Sequence, residues 1–367
     1  MSKKRVIVGM SGGVDSSVAA TLLKEQGYEV IGVTLVLLPE ECESDRPDAC
    51  CGIQAVDDAR EVCSRLDIRY QTFNFRHIFR DEIIEYFCLE YNAGKTPNPC
   101  VRCNKRIKFP MLVYAADILD AEYIATGHFA RIIKDDGTYS LLKGFDKLKD
   151  QSYFLFDLDQ STMSRTLFPL GEMTKKDSRQ IAEKYCLHVH KKPESQEICF
   201  IKDNRYENFL RQWMPEKLVP GPIYDTSGRE IGAHRGIQLY TIGQRRGTRL
   251  AHGKPLYVIS IDAKTNSIVV GNDSELFADG LLAANVSWQA GKKPESSETL
   301  EVKIRYNHKG VSAKVSPLDR NTAEVLFHEP QRAIAPGQAA VFYDGEIVAG
   351  GGWIERAISR KNPSGLF

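Results

Sequence analysis

Strand-like and helix-like patterns of hydrophobic positions alternate through the first third of the chain. Short apolar runs predict strands near residues 5–10, 29–37, 68–75 and 122–126. Between them, hydrophobic residues recur with helical spacing and predict helices near 16–26, 53–66, 77–92 and 106–119. This alternation is typical of a parallel sheet covered on both faces by helices. We therefore expect an α/β fold in which ligands bind beyond the carboxyl ends of the strands.

The pattern changes after residue 128. Residues 130–144 predict a hairpin that turns at Asp136-Gly137. From about residue 206 the chain consists of short strand-like runs and glycine turns, and the alternation from 279 to 367 predicts a small β-barrel. We therefore expect three domains: a parallel-sheet domain over 1–205, a small central domain over 206–278 and a C-terminal β-barrel over 279–367.

A glycine turn joins the first predicted strand to the first predicted helix. Gly12 and Gly13 lack a Cβ, so the backbone can bend sharply and bring its N–H groups against a phosphate at the helix N-terminus. No lysine follows these glycines as in a Walker loop, and the spacing differs from the dinucleotide-binding fingerprint. The predicted nucleotide contacts are Gly9, Met10, Ser11, Gly12, Gly13, Val14, Asp15 and Ser16, with Leu35 and Gly127 at the ends of the second and fourth strands.

The run Ser11-Gly12-Gly13-Val14-Asp15-Ser16 resembles the pyrophosphate loop of the ATP pyrophosphatases. Members of that class split ATP between the α- and β-phosphates and thereby adenylate a carbonyl or carboxylate group. The resemblance implies that ATP binds at this loop. We expect Asp15 to face a magnesium ion or the N-terminus of the helix.

Composition narrows the cellular setting and the partners. The chain has 367 residues, of which 42% are hydrophobic, as in an ordinary folded protein of two or three domains. No apolar run is long enough to span a bilayer and no signal-peptide core follows Met1, so we expect a cytoplasmic protein with no membrane partner. The net charge of +1 gives no global attraction to nucleic acid, so RNA binding would depend on local basic clusters.

Nine cysteines without an export signal favour reduced thiols over a disulfide scaffold. Three lie in helix-like stretches and are predicted to be core or half-buried residues: Cys63, Cys88 and Cys186. Three others lie in a polar loop, where their role stays open: Cys42, Cys50 and Cys51. The remaining three are candidates for chemistry because basic residues flank them: Cys100, Cys103 and Cys199.

Three basic clusters accompany this candidate chemistry. The first follows the cysteine pair and consists of Arg102, Lys105, Arg106 and Lys108. The second precedes Cys199 and consists of His188, His190, Lys191 and Lys192. The third lies in the central domain and consists of Arg245, Arg246 and Arg249. Each cluster fits either a solvated basic face or a surface for RNA phosphates, with aromatic side chains stacking an unpaired base.

Six motifs, in this order and spacing, resemble the bacterial-type tRNA-specific 2-thiouridylase family over nearly the whole chain. They are the glycine loop, Asn98-Pro99-Cys100-Val101-Arg102-Cys103-Asn104, Ala125-Thr126-Gly127-His128, Lys149-Asp150-Gln151-Ser152-Tyr153-Phe154, Ile198-Cys199-Phe200-Ile201 and Pro336-Gly337-Gln338. The resemblance implies that ATP, with Mg²⁺, adenylates the C2 oxygen of the wobble uridine of tRNA and that a persulfide sulfur then displaces AMP. It assigns the persulfide to Cys199, and to Cys103 the nucleophile that releases sulfur by forming a disulfide. A sulfur donor, such as a cysteine desulfurase or a sulfur-relay protein, is then required.

The same resemblance assigns residues to tRNA binding. It matches Asn98, Pro99 and Cys100 to the segment that contacts the target base, and it matches further positions to tRNA contacts: His128, Lys149, Asp150, Gln151, Arg305, Tyr306 and Gln338. Because the base must leave its stack to reach a buried phosphate site, a loop stiffened by prolines suits this role. Taken alone, His128 also fits a hydrogen-bonded structural histidine.

One position departs from the family pattern. An aspartate three residues before the nucleophilic cysteine is a candidate general base in the family, and here that residue is Cys100. Cys100, Cys103 and Cys199 could therefore hold a four-iron four-sulfur cluster with one open iron, while Cys100 and Cys103 alone could form a redox pair or bind zinc. We favour the plain persulfide route and keep the cluster route as its alternative.

Two other functions fit parts of the sequence. Another ATP pyrophosphatase, such as an amidotransferase or an argininosuccinate-type synthetase, would share the glycine loop but would have no use for Cys103 and Cys199. A tRNA-binding module with a regulatory nucleotide site is the alternative outside the enzymes. Pyrophosphate release that depends on unmodified tRNA would separate the three.

Overall fold

The computed structural model describes residues 3–42, 53–193, 198–203, 205–247, 255–289 and 293–359. The α-helices are α1 (Val14–Glu25), α2 (Ile53–Arg65), α3 (Arg76–Phe79), α4 (Tyr86–Asn92), α5 (Pro99–Cys103), α6 (Phe109–Ile118), α7 (Gln160–Ser164), α8 (Lys175–Lys184) and α9 (Tyr206–Trp213). The strands are β1 (Arg5–Gly9), β2 (Glu29–Val36), β3 (Arg69–Asn74), β4 (Tyr123–Ala125), β5 (Ala130–Asp135), β6 (Thr138–Lys143), β7 (Thr166–Leu167), β8 (Gly221–Asp225), β9 (Glu230–His234), β10 (Tyr257–Asp262), β11 (Ser267–Gly271), β12 (Phe277–Trp288), β13 (Glu298–Lys303), β14 (Val311–Pro317), β15 (Ala323–Arg332), β16 (Ala339–Asp344) and β17 (Ile347–Ile358). Within these described ranges, no helix is long and apolar enough to cross a membrane.

The chain divides into two compact units. The first consists of Met1–Ile84, Cys100–Asn204 and Glu346–Val348, and the second of Glu85–Pro99, Arg205–Gly345 and Ala349–Phe367. The segment Glu85–Pro99 therefore belongs with the C-terminal half of the chain, although it comes early in the sequence. The predicted boundaries after residues 205 and 278 stay a prediction.

Five parallel strands form the sheet of the first unit, in the order β3-β2-β1-β4-β7. β1 lies in the middle, where Val6 is opposite Val30 of β2 and Tyr123 of β4. Val6, Ile7 and Val8 are each 0% exposed, which explains why this strand is continuously apolar instead of alternating. The predicted α/β fold is confirmed. Because the strand order reverses between β1 and β4, the ligand crevice is expected at their carboxyl ends.

The cysteine pair, Cys100 and Cys103, lies on a helix, whereas the sequence predicted a loop here. α5 begins at Pro99, and π-helical turns over Asn104–Lys108 connect it to α6. A proline is favourable at the first position of a helix because that position needs no N–H donor, so Pro99 starts a helix here. Cys100 and Cys103, three residues apart, therefore lie on the same face of α5.

A hairpin, β5 and β6, follows β4 in the chain and turns at Asp136 (φ 43°) and Gly137 (φ 79°), as predicted. Ile347 pairs with Leu142 of β6, and this contact places Glu346–Val348 in the first unit.

The second unit contains two β-structures. A four-stranded sheet has the order β10-β11-β8-β9, and six antiparallel strands run β12-β15-β14-β13-β16-β17 and close where β12 pairs with β17. Along β14, buried Ala313 and Val315 alternate with exposed Lys314, the period expected of a barrel wall. The predicted C-terminal β-barrel is confirmed.

Candidate active site

The glycine turn after β1 has one glycine that the fold requires and one that it does not. Gly12 has φ +65°, and a Cβ built there would lie 2.4 Å from the carbonyl oxygen of Ala55 in α2. Gly13 has φ −106°, and a Cβ there would meet only the Ser11 hydroxyl, at 3.4 Å. No protein atom therefore requires a glycine at position 13, which leaves its backbone open to approach from outside.

Serine hydroxyls fix the conformation of this turn. The Ser16 hydroxyl oxygen accepts from Ser11 N at 3.2 Å, and the Ser17 hydroxyl donates to Gly13 O at 2.8 Å. Gly13 is the N-cap of α1 and has no side chain to cap the helix. The first N–H groups of α1 therefore remain available for an anion at the positive end of the helix dipole.

The loop after β4 contacts this helix start. A Cβ on Gly127 would lie 2.6 Å from both Asp15 C and Ser16 N, so only a glycine allows the two backbones to approach this closely. The expected convergence of the two strand ends is confirmed. Leu35, the other predicted contact outside the turn, is half-buried near the end of β2, opposite Phe73 of β3.

Asp15 is paired with a lysine that the sequence analysis missed. Lys175 Nζ lies 2.7 Å from both carboxylate oxygens of Asp15, and the Ser178 hydroxyl donates to the same carboxylate at 3.1 Å. Lys175 is the first residue of α8 and is only 8% exposed. The Thr174–Asp177 capping box marks the start of this helix in the sequence, but no motif connects it to the glycine turn.

A second lysine contacts the turn from the basic cluster before Cys199. Lys192 Nζ donates to Gly12 O at 3.1 Å and to the Asp58 carboxylate at 2.6 Å. Burial opposes ionisation of Asp58, but hydrogen bonds from Lys192 and Gln54 hold its pKa below the usual value. The charge of Lys192 is thus balanced within the protein.

His128 is packed between aromatic rings. Its ring stacks on Phe109 at 5.9 Å between centroids and meets the edge of Phe168 at 6.0 Å, and its Nδ1 lies 2.7 Å from the Thr126 hydroxyl. Burial and the nearby charge of Lys108 lower the pKa of His128 to about 3. The imidazole is therefore neutral at physiological pH, as expected of a structural histidine.

The helix with the cysteine pair is anchored on both sides. Cys103 is buried and Cys100 half-buried. The Asn104 amide donates to Phe154 O at 3.0 Å and Lys105 Nζ to Asp157 O at 2.7 Å, while Arg102 pairs with Glu82 at 2.9 Å. Glu82 thus neutralises Arg102, and the Asp157 carboxylate, 3.3 Å from Lys105 Nζ, neutralises Lys105. π-Helical turns of the kind that follow Cys103 often occur at functional sites.

Cys199 lies in a turn closed by Ile201 N donating to Ile198 O at 3.1 Å. The next residue, Phe200, is 1% exposed and packs against Phe79. Cys199 itself is half-buried. Among the residues that the structure describes, which include all three candidate thiols, no group of three or more His, Cys, Asp or Glu side chains could hold a metal ion.

The other described cysteines are structural or lie on the surface. Burial raises the pKa of Cys42 to about 11 and that of Cys63 to about 12, so both are inert thiols. Cys88 is buried, as predicted, whereas the prediction for Cys186 is wrong. Cys186 follows the end of α8 with φ 50° and is exposed, because the helix ends before it. Cys50, Cys51 and Arg249 lie outside the described residues.

The segment from Lys149 to Phe154, which we call the strap, is hydrogen-bonded to other parts of the first unit. Asp150 is buried, and its carboxylate accepts from Gly144 N and Ser152 N, both at 3.0 Å. Gln151 makes two bonds to Phe129, since its N–H donates to Phe129 O at 2.9 Å and its Oε1 accepts from Phe129 N at 3.0 Å. The strap therefore joins the loop after β4 to the helix with the cysteine pair.

The remaining predicted tRNA contacts lie in the second unit. Gln338 Nε2 donates to Thr96 O at 3.0 Å and Thr96 N donates to Pro336 O at 2.7 Å, so the Pro336-Gly337-Gln338 motif holds the backbone that leads to Asn98, which is 9% exposed. Arg305 is exposed and Tyr306 half-buried between β13 and β14.

Family models match three consecutive parts of the chain. Residues 4–203 match a tRNA methyl transferase HUP domain, residues 207–272 a tRNA methyl transferase PRC-barrel domain, and residues 278–354 an aminomethyltransferase beta-barrel domain. The fold and the uncapped glycine turn thus define a HUP-domain protein followed by two β-domains.

Curated relatives specify the family. The chain is 47% identical over 364 residues to the tRNA-specific 2-thiouridylase MnmA of Geotalea uraniireducens, covering 98% of this chain and 97% of that one. It is 48% identical over 363 residues to the protein of the same name from Carboxydothermus hydrogenoformans, covering 98% and 99%. The chain belongs to the tRNA-specific 2-thiouridylase family.

Among solved structures, a 4-thiouridine synthetase in complex with RNA and ATP is 17% identical and covers 58% of this chain and 51% of that one, with a TM-score of 0.37.

We expect Gly12→Ala and Gly13→Ala to separate folding from ligand binding. An alanine at position 12 would place its Cβ 2.4 Å from the Ala55 carbonyl oxygen and would have to adopt a positive φ. Gly12→Ala should therefore lower the free energy of unfolding by more than about 2 kcal/mol. An alanine at position 13 should leave stability within about 0.5 kcal/mol of wild type but weaken ATP binding at least tenfold. Thermal unfolding and calorimetry check this, and ATP binding unchanged in Gly13→Ala would contradict the assignment of the turn.

His128 should make the protein sensitive to mild acid. An unfolded histidine takes up a proton near pH 6.5 and folded His128 only near pH 3, so between these values the unfolded state binds more protons. The free energy of unfolding should therefore fall as the pH falls, by about 2 kcal/mol at pH 5 from this residue. In His128→Gln, which can still bond Thr126, the difference in urea midpoint between pH 7 and pH 5 should shrink. An undiminished difference would mean that His128 is accessible to protons.

Proposed function

We propose that this protein uses ATP to replace the C2 oxygen of the wobble uridine of tRNA by sulfur. The observation that carries the proposal is identity of 47% and 48% to relatives named tRNA-specific 2-thiouridylase over 98% of this chain. The uncapped, glycine-lined start of α1 supplies an anion site, and the thiols supply sulfur chemistry that neither methyl transfer nor a small-carbonyl ligase would need.

ATP is the nucleotide we assign to the glycine turn. Its phosphates would accept from the N–H groups at the start of α1, with Gly13 and Gly127 giving the backbone access. Magnesium takes one or two carboxylates together with phosphate oxygens, and Asp15 is the acidic residue in the first turn of α1. When bound, the ion would neutralise phosphate charge and polarise the α-phosphate.

The reaction then proceeds in three steps. The uridine O2 attacks the α-phosphorus of ATP, the bond to the β-phosphate oxygen breaks, and pyrophosphate leaves. The terminal sulfur of a persulfide on Cys199 attacks C2, and AMP leaves with the original oxygen. The Cys103 thiolate attacks the Cys199 sulfur, which releases 2-thiouridine and leaves a disulfide for an external thiol to reduce. A persulfide-donating protein loads Cys199.

An iron–sulfur route has weaker support. The described residues contain no set of ligands placed for a metal, and this holds for Cys100, Cys103 and Cys199 together. We therefore assign no step to a cluster. Cys100 takes the position of the family's aspartate, half-buried on the same face of α5 as Cys103.

For tRNA binding we keep the contacts implied by the family. Of these family contacts, the exposed Arg305 and the half-buried Lys149 are suited to phosphates. To them we add three exposed arginines of the basic clusters, Arg106, Arg245 and Arg246. Three of the family contacts already make hydrogen bonds within the protein: Asp150, Gln151 and Gln338. We propose that they assist tRNA binding by holding neighbouring segments in place. We also keep the three domains 1–205, 206–278 and 279–367, and assign tRNA contacts to the central one.

Cysteine variants test this assignment. Cys103→Ser and Cys199→Ser should each abolish 2-thiouridine formation, measured by mass spectrometry of tRNA nucleosides, but retain tRNA-dependent AMP formation, because adenylation needs no thiol. The exposed Cys186→Ser is the matched control and should thiolate like wild type. Cys100→Asp restores the commoner family residue and should thiolate with a persulfide donor.

Two outcomes would contradict the proposal. Thiolation by Cys103→Ser or Cys199→Ser would move the sulfur chemistry elsewhere. Activity that rises and falls with iron content, and is lost with iron in Cys100→Asp, would replace the persulfide route by a cluster.

A further inference from the structure

The glycine turn contains no lysine, yet the polyphosphate proposed to bind there has several negative charges. Lys175, 160 residues beyond Asp15 in the sequence, places its ammonium group at this turn. Its Nζ lies 2.7 Å from both Asp15 carboxylate oxygens and 5.8 Å from the centre of the Phe129 ring. Asp15 is in the first turn of α1 and Phe129 follows β4. The ammonium group therefore lies at the carboxyl ends of β1 and β4, where a parallel sheet of this topology binds ligands.

Lys175 is held rigidly at this position. It is 8% exposed, and its backbone N–H donates to the Asp146 carboxylate at 3.0 Å. The Thr174–Asp177 capping box fixes the helix start around it. A buried ammonium group needs an anionic partner, and Asp15 supplies both oxygens of its carboxylate.

Lys192, the other lysine at the turn, differs from Lys175 in its partner. Its partner Asp58 lies on α2 and also accepts from Gln54 at 2.9 Å and lies 3.4 Å from His188, so it belongs to a local network. The partner of Lys175 is instead the acidic residue of the α1 first turn, the one assigned to magnesium above. A carboxylate that ligates a metal ion has less charge left to neutralise a lysine, so a metal ion on Asp15 would weaken its ion pair with Lys175.

We propose that Lys175 is a phosphate-binding residue that Asp15 holds in place until the nucleotide arrives. On binding, Asp15 exchanges its lysine partner for the magnesium ion, and Lys175 exchanges Asp15 for a phosphate oxygen of ATP. Lys175 thus supplies from α8 the cation that other phosphate loops carry within the loop itself. This inference rests on the proposed ATP site and adds a residue to it.

Binding of ATP in EDTA, measured by calorimetry, tests the exchange without turnover. Asp15→Asn removes the anion that competes for Lys175, so this variant should bind metal-free ATP at least tenfold more tightly than wild type. Adding Lys175→Met should abolish that gain, because the liberated cation is gone. Lys176→Met, which removes an exposed lysine from the next position of α8, is the matched control and should preserve the gain.

Equal affinity of Asp15→Asn and Asp15→Asn/Lys175→Met for metal-free ATP would overturn the proposal and leave Lys175 a structural residue. The double variant Asp15→Asn/Lys175→Met removes both charges of the ion pair, so no unpaired charge is left buried and the protein should fold. Asp15→Asn/Lys175→Gln serves as a second variant for the same comparison. Thermal unfolding verifies that both double variants are folded. Binding of ATP to wild type in the presence of Mg²⁺ distinguishes failure of this inference from failure of the proposed function. If it binds no ATP, the proposed function fails together with the inference.

Discussion

The close approach between Gly127 and the first turn of α1 is the constraint on which the site depends. A Cβ on Gly127 would lie 2.6 Å from the backbone of Asp15 and Ser16, so the carboxyl ends of β1 and β4 meet only through a glycine. That contact places the anion site at the point where the strand order reverses. Lys175 contacts both sides of it, because its ammonium group lies 2.7 Å from the Asp15 carboxylate and 5.8 Å from the centre of the Phe129 ring.

Other parts of the first unit are held relative to this contact by hydrogen bonds. Gln151 bonds the backbone of Phe129 twice, and the carbonyl groups of Phe154 and Asp157 accept from Asn104 and Lys105. The strap therefore runs from the end of β4 to the residues just after Cys103. The proposed reaction requires a fixed separation between the thiol and the phosphate site, and a chain of short polar contacts in a packed unit favours this.

The sequence predicted what depends on local pattern. The parallel strands, the barrel and the glycine turn follow from runs of apolar residues and from residues without a Cβ, and all three are present. Lys175 could not be predicted, because its partner lies 160 residues away and only the packing of α8 on α1 joins them. The two prolines before Cys100 predict a loop because a proline breaks a helix except in its first turn, and Pro99 lies at that first position. Asp150 and Gln151 belong to a motif, but the sequence does not distinguish a residue that contacts a ligand from one that holds another residue in position.

The proposed reaction depends on one covalent event, attack of the uridine O2 on the α-phosphorus of ATP. The most direct test uses tRNA whose wobble uridine carries ¹⁸O at C2, incubated with the protein, ATP, Mg²⁺ and a persulfide donor. Mass spectrometry of the products should find the ¹⁸O in AMP, one atom for each 2-thiouridine formed. Unlabelled AMP, or ¹⁸O released into water, phosphate or pyrophosphate while 2-thiouridine accumulates, would contradict the account.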